Sequence, residues 1–326
     1  MGGHNISVTD RYGWLEAGQN FGTTADMGAH TMALPLQRLS YSTLSKWDTC
    51  PSKVYLGKGT TFVQTPSWAS VGGRAAHSLI EEYDREGVSR WSGPRWEQEA
   101  TRIFIDAILT EEASSGILSS EWRASRGGAE GQEWWARKLP AMGEMYQAWR
   151  LANPHLMDWV TPDGAEAIEL EIKVNIPGAR LPFLAFVDKV MIDTSRADAL
   201  VIVDYKSGSL LPEDLNQFHS YAALMEVRYG IRPGYGATYN ARKGELHPLR
   251  KGGPTILPLN GVPTDVWIKG VQEREALMDL NLWPAKPGKY CGWCEVKNAC
   301  VYGGGSQAMR FDPHHPRYKG SLGLAA

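Results

Sequence analysis

Apolar residues recur at helical spacing through the first half of the chain and as short strand-like runs through the second. Ser40 to Tyr55, Ser67 to Glu86, the set Trp96, Ala100, Phe104, Ala107 and Ile108, and the stretch 130–152 predict a mainly helical first half. The pattern then changes. Ala167 to Val174, Pro182 to Ile192 and Ala199 to Tyr205 are apolar or β-branched runs, separated by turn signals at Pro177-Gly178 and Thr194 to Asp198, and predict three strands in a meander. A helix over Glu213 to Tyr229, a strand over Tyr235 to Asn240, a loop holding Pro254, Pro258 and Pro263, and a helix over Thr264 to Leu280 follow. The expected architecture is α/β, helices around a mixed central sheet. Residues 1–36 lack sustained periodicity and read as a flexible N-terminal arm, and the Gly-rich polar stretch 303–326 as a flexible C-terminal tail.

Composition narrows the class. With 326 residues, 43% of them hydrophobic, the chain can bury a sizeable core as one elaborated domain or two smaller ones. Its 35 Gly and 19 Pro fall well short of a low-complexity composition. Apolar runs such as Ala199 to Val203 are far shorter than the ~20 residues of a membrane-spanning helix. Asp10 and Arg11 stand where a secretory apolar segment would lie, so the expected location is the cytoplasm, or a host cell's if the chain is virus-encoded. The net charge is −2, so a nucleic-acid partner must be held by a local patch or groove. Neither Gly57-Lys58 nor Gly288-Lys289 has the flanking residues of a P-loop, so ATP-driven motion is not expected.

The most informative string is VIVDYKSG. Asp204 and Lys206 close an apolar strand with one residue between them, and period-two geometry presents both side chains on one face. Upstream, Asp188 lies in the apolar run FLAFVDKVMID, where a charge needs a cation or hydrogen-bond donors to offset burial. Paired as a hairpin, the two strands would let Asp188 and Asp204 converge. Two carboxylates suit Mg²⁺ or Mn²⁺, and a neighbouring lysine can position a nucleophile or stabilise developing negative charge. Taken alone, Asp-x-Lys reads more readily as an ordinary surface ion pair near a strand end. Two further strings add context: GGRAAHSLIEEY puts His77 on a predicted helix, and NQFHSYAALM puts Gln217 and Tyr221 one helical turn apart. A lone histidine on an apolar helix is usually a satisfied core residue.

In order, Gly73-x-x-x-His77, Asp188, Asp204-x-Lys206 and Gln217-x-x-x-Tyr221 resemble the RecB-like branch of the PD-(D/E)XK nucleases. By matched position, the resemblance implies that His77, Asp188, Asp204 and the backbone carbonyl of Tyr205 hold a divalent metal. It also implies that Lys206 assists hydrolysis, and that Gln217 and Tyr221 support the site or touch DNA. Ala185 replaces the glycine usual three residues before the metal-binding Asp. Glu171 occupies a position that is often acidic in relatives, with Glu169 a near alternative.

All four cysteines, Cys50, Cys291, Cys294 and Cys300, can be grouped. The C-x2-C pair brings two thiolates to one centre, and four ligands suit either tetrahedral zinc or a cubane cluster. One cysteine before the core and three after it, at C-x2-C-x5-C, resembles the iron–sulfur subset of RecB-like nucleases, including Cas-four type exonucleases and the AddB nuclease domain. That resemblance implies a [4Fe-4S] cluster stapling the chain ends. It also implies a nuclease domain over 37–302 with a helical insertion at about 88–160. The expected function is a metal-dependent DNA exonuclease on single-stranded ends with 5′-to-3′ preference. Its setting would be recombination, repair or CRISPR-like processing, with a separate helicase or integration complex as partner. The competing expectation is a non-catalytic DNA-binding scaffold held together by an iron–sulfur or zinc site. Thirteen Trp and 13 Tyr, with Trp122-Arg123, Arg126, Trp134, Trp135, Arg137 and Lys138 interleaved, offer stacking surfaces for single-stranded DNA, or simply core aromatics beneath a solvated basic face.

Overall fold

Two serines set the first helices in place. Ser40, in extended backbone, accepts the Thr43 N–H and caps α1 (Tyr41–Thr49), and Ser67 accepts the Ser70 N–H and caps α3 (Trp68–Glu86). The expected single helix over Ser40 to Tyr55 is divided. Cys50 is extended at φ −167°, ψ 107°, and Pro51 opens α2 (Pro51–Gly59), because a proline drives its predecessor out of helical geometry while itself fitting a helix start. Further along lie α4 (Gly93–Ser115), α5 (Gln132–Ala152), α6 (Asn216–Tyr229) and α7 (Thr264–Asp279). The computed structural model describes residues 36–59, 65–87, 91–125, 128–208, 211 and 215–305. The expected arm before Leu36, the expected tail beyond Gly305, Arg126 and the expected helix start at Glu213 lie outside the described residues.

The strands are β1 (Leu156–Asp158), β2 (Ile168–Asn175), β3 (Pro182–Asp193), β4 (Ala199–Lys206), β5 (Tyr235–Asn240), β6 (Glu245–His247) and β7 (Ile256–Pro258). They form one sheet in the order β1-β3-β4-β5-β6, with β2 also on β3 and β7 also on β5. The meander β2-β3-β4 is antiparallel as expected, whereas β5 runs parallel to β4 because the intervening α6 crosses over between them. Two short strands, β6 and β7, emerge around the proline-containing loop and pair with β5.

The sheet separates two apolar cores. One joins α3, α4 and α5 to Met191, Val201, Val203, Tyr205 and Tyr239. The other joins α1, α2, α6 and α7 to Ile172, Phe183, Val187, Val190 and Ile202. Close approach of α3 to α5 depends on Gly72, where an added Cβ would stand 2.0 Å from the buried Trp135 ring. The α1–α2 hairpin docks on the segment that carries the last three cysteines: Ser52 Oγ donates to the Trp283 carbonyl at 2.6 Å, the Trp47 and Trp283 rings lie 5.1 Å apart, and Lys46 pairs with Glu295 at 2.7 Å. Among the described residues no helix is long and apolar enough to cross a membrane.

Candidate active site

The antiparallel ladder between β3 and β4 stops at Lys189 and Val203. The next opposed positions in that register are Asp188 and Asp204. Asp188 Oδ2 accepts the N–H of Tyr205 at 2.6 Å, so a carboxylate takes up the backbone donor left where the strands part. The hairpin expected from the two strings thus exists, with both acids at its open end and only 7% and 1% exposed.

β2 adds a third acid. Its register with β3 opposes Ile168 to Lys189 and Leu170 to Val187, which puts Glu169 opposite Asp188. Glu169 has φ 45°, left-handed backbone that a non-glycine residue rarely adopts and that stores about 1–3 kcal/mol of strain. His77, from α3, places Nδ1 3.8 Å from Glu169 Oε1 and 3.6 Å from Asp188 Oδ1. One ligand atom from each of the three lies within 4.8 Å of the others, and among the described residues this is the sole such group of three or more His, Cys, Asp or Glu. Glu171, the other acidic candidate on β2, is exposed and opposes Phe186.

Asp204 is held on both oxygens. Gln217 Nε2 donates to Oδ1 at 2.8 Å and also to the Tyr221 hydroxyl at 2.8 Å, while Lys206 Nζ stands 2.5 Å from Oδ2. Gln217 and Tyr221, one turn apart on α6, therefore buttress the strand carboxylate. Gly73, one turn before His77, leaves room for Ser207: an added Cβ would lie 3.2 Å from its Oγ. Arg242 steadies the strand exit by donating to the Ser207 carbonyl while pairing with Glu130 and stacking 4.5 Å over Trp134. Trp122 and Trp135 are core residues, which answers part of the expectation about stacking surfaces.

The electrostatics of the site push its acids apart. Burial and repulsion from Asp188 raise the Asp204 carboxyl to about 6, against the opposing charges of Lys206 and His77. For Asp188 burial acts upward too, but His77, Lys206 and the Tyr205 N–H hold it below the ordinary range. Burial disfavours the charged form of His77, yet Asp188, Glu169 and Asp204 outweigh it and push the imidazole up to about 10. A negative cluster that strong, built from carboxylate oxygens and one imidazole nitrogen, is a donor set that fits a divalent cation.

Two of the cysteines meet backbone donors on one short segment. Cys50 Sγ accepts the Lys286 N–H at 3.4 Å and Cys291 Sγ accepts the Gly288 N–H at 3.3 Å, so two sulfurs 241 positions apart in sequence address backbone donors two residues apart. All four thiols are free and partly buried. Among the described residues no three of these thiols lie close enough together to share a single ion.

A meander followed by a crossover helix and a parallel strand, with clustered acids and a lysine at the strand ends, defines a class before it defines a protein. The chain matches the profile of the PD-(D/E)XK nuclease superfamily over residues 38–301 and belongs to that superfamily. It is similar to the gene 69 protein of Mycobacterium phage D29, at 26% identity over 287 residues, covering 82% of this chain and 97% of that protein. Sequence reading named His77, Asp188, Asp204, Lys206, Gln217 and Tyr221, and the fold brings all six together. It left Glu169 second to Glu171. The two share one face of β2, so alternation does not choose between them; the register with β3 does, and it favours Glu169.

Proposed function

We propose that this chain is a metal-dependent deoxyribonuclease that hydrolyses phosphodiester bonds, working as an exonuclease on single-stranded ends. The observation that carries this reading is the convergence of Asp188, Asp204, Glu169, His77 and Lys206 at the open end of the β3-β4 hairpin, in a chain of a nuclease superfamily. In this reading His77, Glu169, Asp188, Asp204 and the Tyr205 carbonyl hold Mg²⁺ or Mn²⁺. Bound there, the ion would lower the pKa of a water and screen the charge of the phosphodiester. Lys206, steadied by Asp204, orients the nucleophile or stabilises the charge that develops on phosphate oxygens. Gln217 and Tyr221 keep Asp204 aimed. A 5′-to-3′ preference and a [4Fe-4S] cluster on Cys50, Cys291, Cys294 and Cys300 are supported by the motif resemblance. The cluster is further supported by the backbone N–H groups directed at two of the sulfurs.

Purified protein incubated with end-labelled single-stranded DNA and Mn²⁺ tests the reading. Wild type should shorten the DNA from its 5′ end, and Asp204→Ala and Lys206→Ala should each lose at least about a hundredfold in rate, as expected for groups acting at the reacting centre. Equal cleavage by wild type and both variants would refute the assigned site. Tight DNA binding without any cleavage would favour the scaffold reading instead. Anaerobically purified protein should also show a broad visible absorption band, which a d¹⁰ zinc site cannot produce.

A further inference from the structure

We propose that Asp84 is a positioning residue that ties together three of the four elements carrying the candidate metal site, α3, β3 and β4, acting through a buried hydrogen-bond network that grips the side chain of Tyr205. The inference rests on the metal-dependent reading above and adds to it residues outside the site itself.

Asp84 lies seven residues, two helical turns, after His77, so both project from the same side of α3. Its side chain is wholly buried. A single oxygen, Oδ2, accepts from Lys189 Nζ at 2.9 Å, from the Tyr146 hydroxyl at 2.8 Å and from the Tyr205 hydroxyl at 3.2 Å, and the two hydroxyls lie 2.8 Å from each other. Arg150 Nη2 and Lys189 Nζ both reach Asp158, at 2.9 and 2.8 Å, which balances two cations with two carboxylates.

The sequence positions of these residues give the network its meaning. Lys189 follows Asp188 on β3, and Tyr205 stands between Asp204 and Lys206 on β4. Strand alternation sends the side chains of Lys189 and Tyr205 to one face and those of their neighbours to the other. One carboxylate on α3 therefore holds the residue next to Asp188 and the residue next to Asp204, while its own helix carries His77. Tyr205 couples the two faces directly, because its peptide N–H is the donor to Asp188 Oδ2. A shift of its ring would move that N–H and the carbonyl assigned to the metal. A fully buried Lys189 is a poor way to gain stability, since apolar residues of similar volume often serve as well; fixing geometry is a role that buried polar clusters fill in some proteins. Partners behind the ligands of a metal site typically govern metal affinity by 10–100-fold.

Tyr205→Phe is the least invasive probe, because it deletes one hydroxyl and keeps ring and peptide. Mn²⁺ titration followed by electron paramagnetic resonance should show affinity about tenfold weaker than wild type, with cleavage of single-stranded DNA recovering as Mn²⁺ is raised. Tyr146→Phe should do the same more mildly. Tyr239→Phe keeps a ring that packs on Tyr146 and Tyr205 and removes only a hydroxyl that takes no part in the network, so it should leave Mn²⁺ affinity unchanged. If Tyr205→Phe and Tyr146→Phe lower melting temperature but keep wild-type Mn²⁺ affinity, the network is only structural and the proposal is overturned. Failure of wild type to bind Mn²⁺ at all would overturn the metal reading itself, a result distinct from equal affinities across the variants.

Discussion

Glu169 holds strained backbone at the point where three ligand-type side chains meet, and strain of this kind persists only where the surroundings impose it. Glu169→Gln should lower cleavage at limiting Mn²⁺ by at least about tenfold while Glu171→Gln keeps the wild-type rate, measured on the same single-stranded substrate. Asp204 fixes the direction of the pH response. Its carboxyl is raised to about 6, so it becomes protonated as pH falls through that value and a proton then competes with the cation. Mn²⁺ binding should therefore be weaker at pH 5 than at pH 7.5, and an Asp204→Asn variant should show a flatter profile in the same titration. The Tyr239 hydroxyl is buried without a hydrogen-bond partner among the described residues. Tyr239→Phe should accordingly stabilise the protein by about 1 kcal/mol in urea unfolding, because an unsatisfied polar group is removed.

Helix α3 acts as an element with two commitments. One turn of it presents Gly73 and His77 to the site, while Gly72 admits Trp135 of α5 so closely that a methyl group cannot be accommodated. Gly72→Ala should destabilise the fold by about 1–3 kcal/mol through overpacking, read from the shift in the urea midpoint at constant slope. Most elements were legible in the sequence, because periods of 3.6 and 2 are written into single segments: α3, α5, the β2-β3-β4 meander and β5 begin and end within a few residues of expectation. The exceptions have physical causes. The first helix divides at Cys50 because Pro51 excludes helical backbone before it. Strands β1, β6 and β7 span three residues each, too short for any period, and exist because β3 and β5 offer edges to pair with.

At the scale of the whole molecule, the chain closes on itself. The α1–α2 hairpin packs against the segment from Trp283 to Val296, and Cys50 and Cys291 sit on either side of that seam. A shared inorganic centre would close a loop of about 250 residues and stabilise the fold by restricting the unfolded chain. Cys294→Ala should then lose bound iron together with several degrees of melting temperature; retention of both would count against a cluster. What the sequence determined by itself was local: the strand that ends in Asp204-x-Lys206, the apolar strand interrupted by Asp188, the helices bearing His77 and the Gln217–Tyr221 pair, and the cysteine spacing. Tertiary structure decided what depends on register and on approach between distant segments. It selected Glu169 over Glu171, turned Gln217 into the support of Asp204, and buried Asp84 against Lys189 and Tyr205 behind the site. Those outcomes follow from pairing and packing among residues up to 121 positions apart, which no single segment's periodicity encodes.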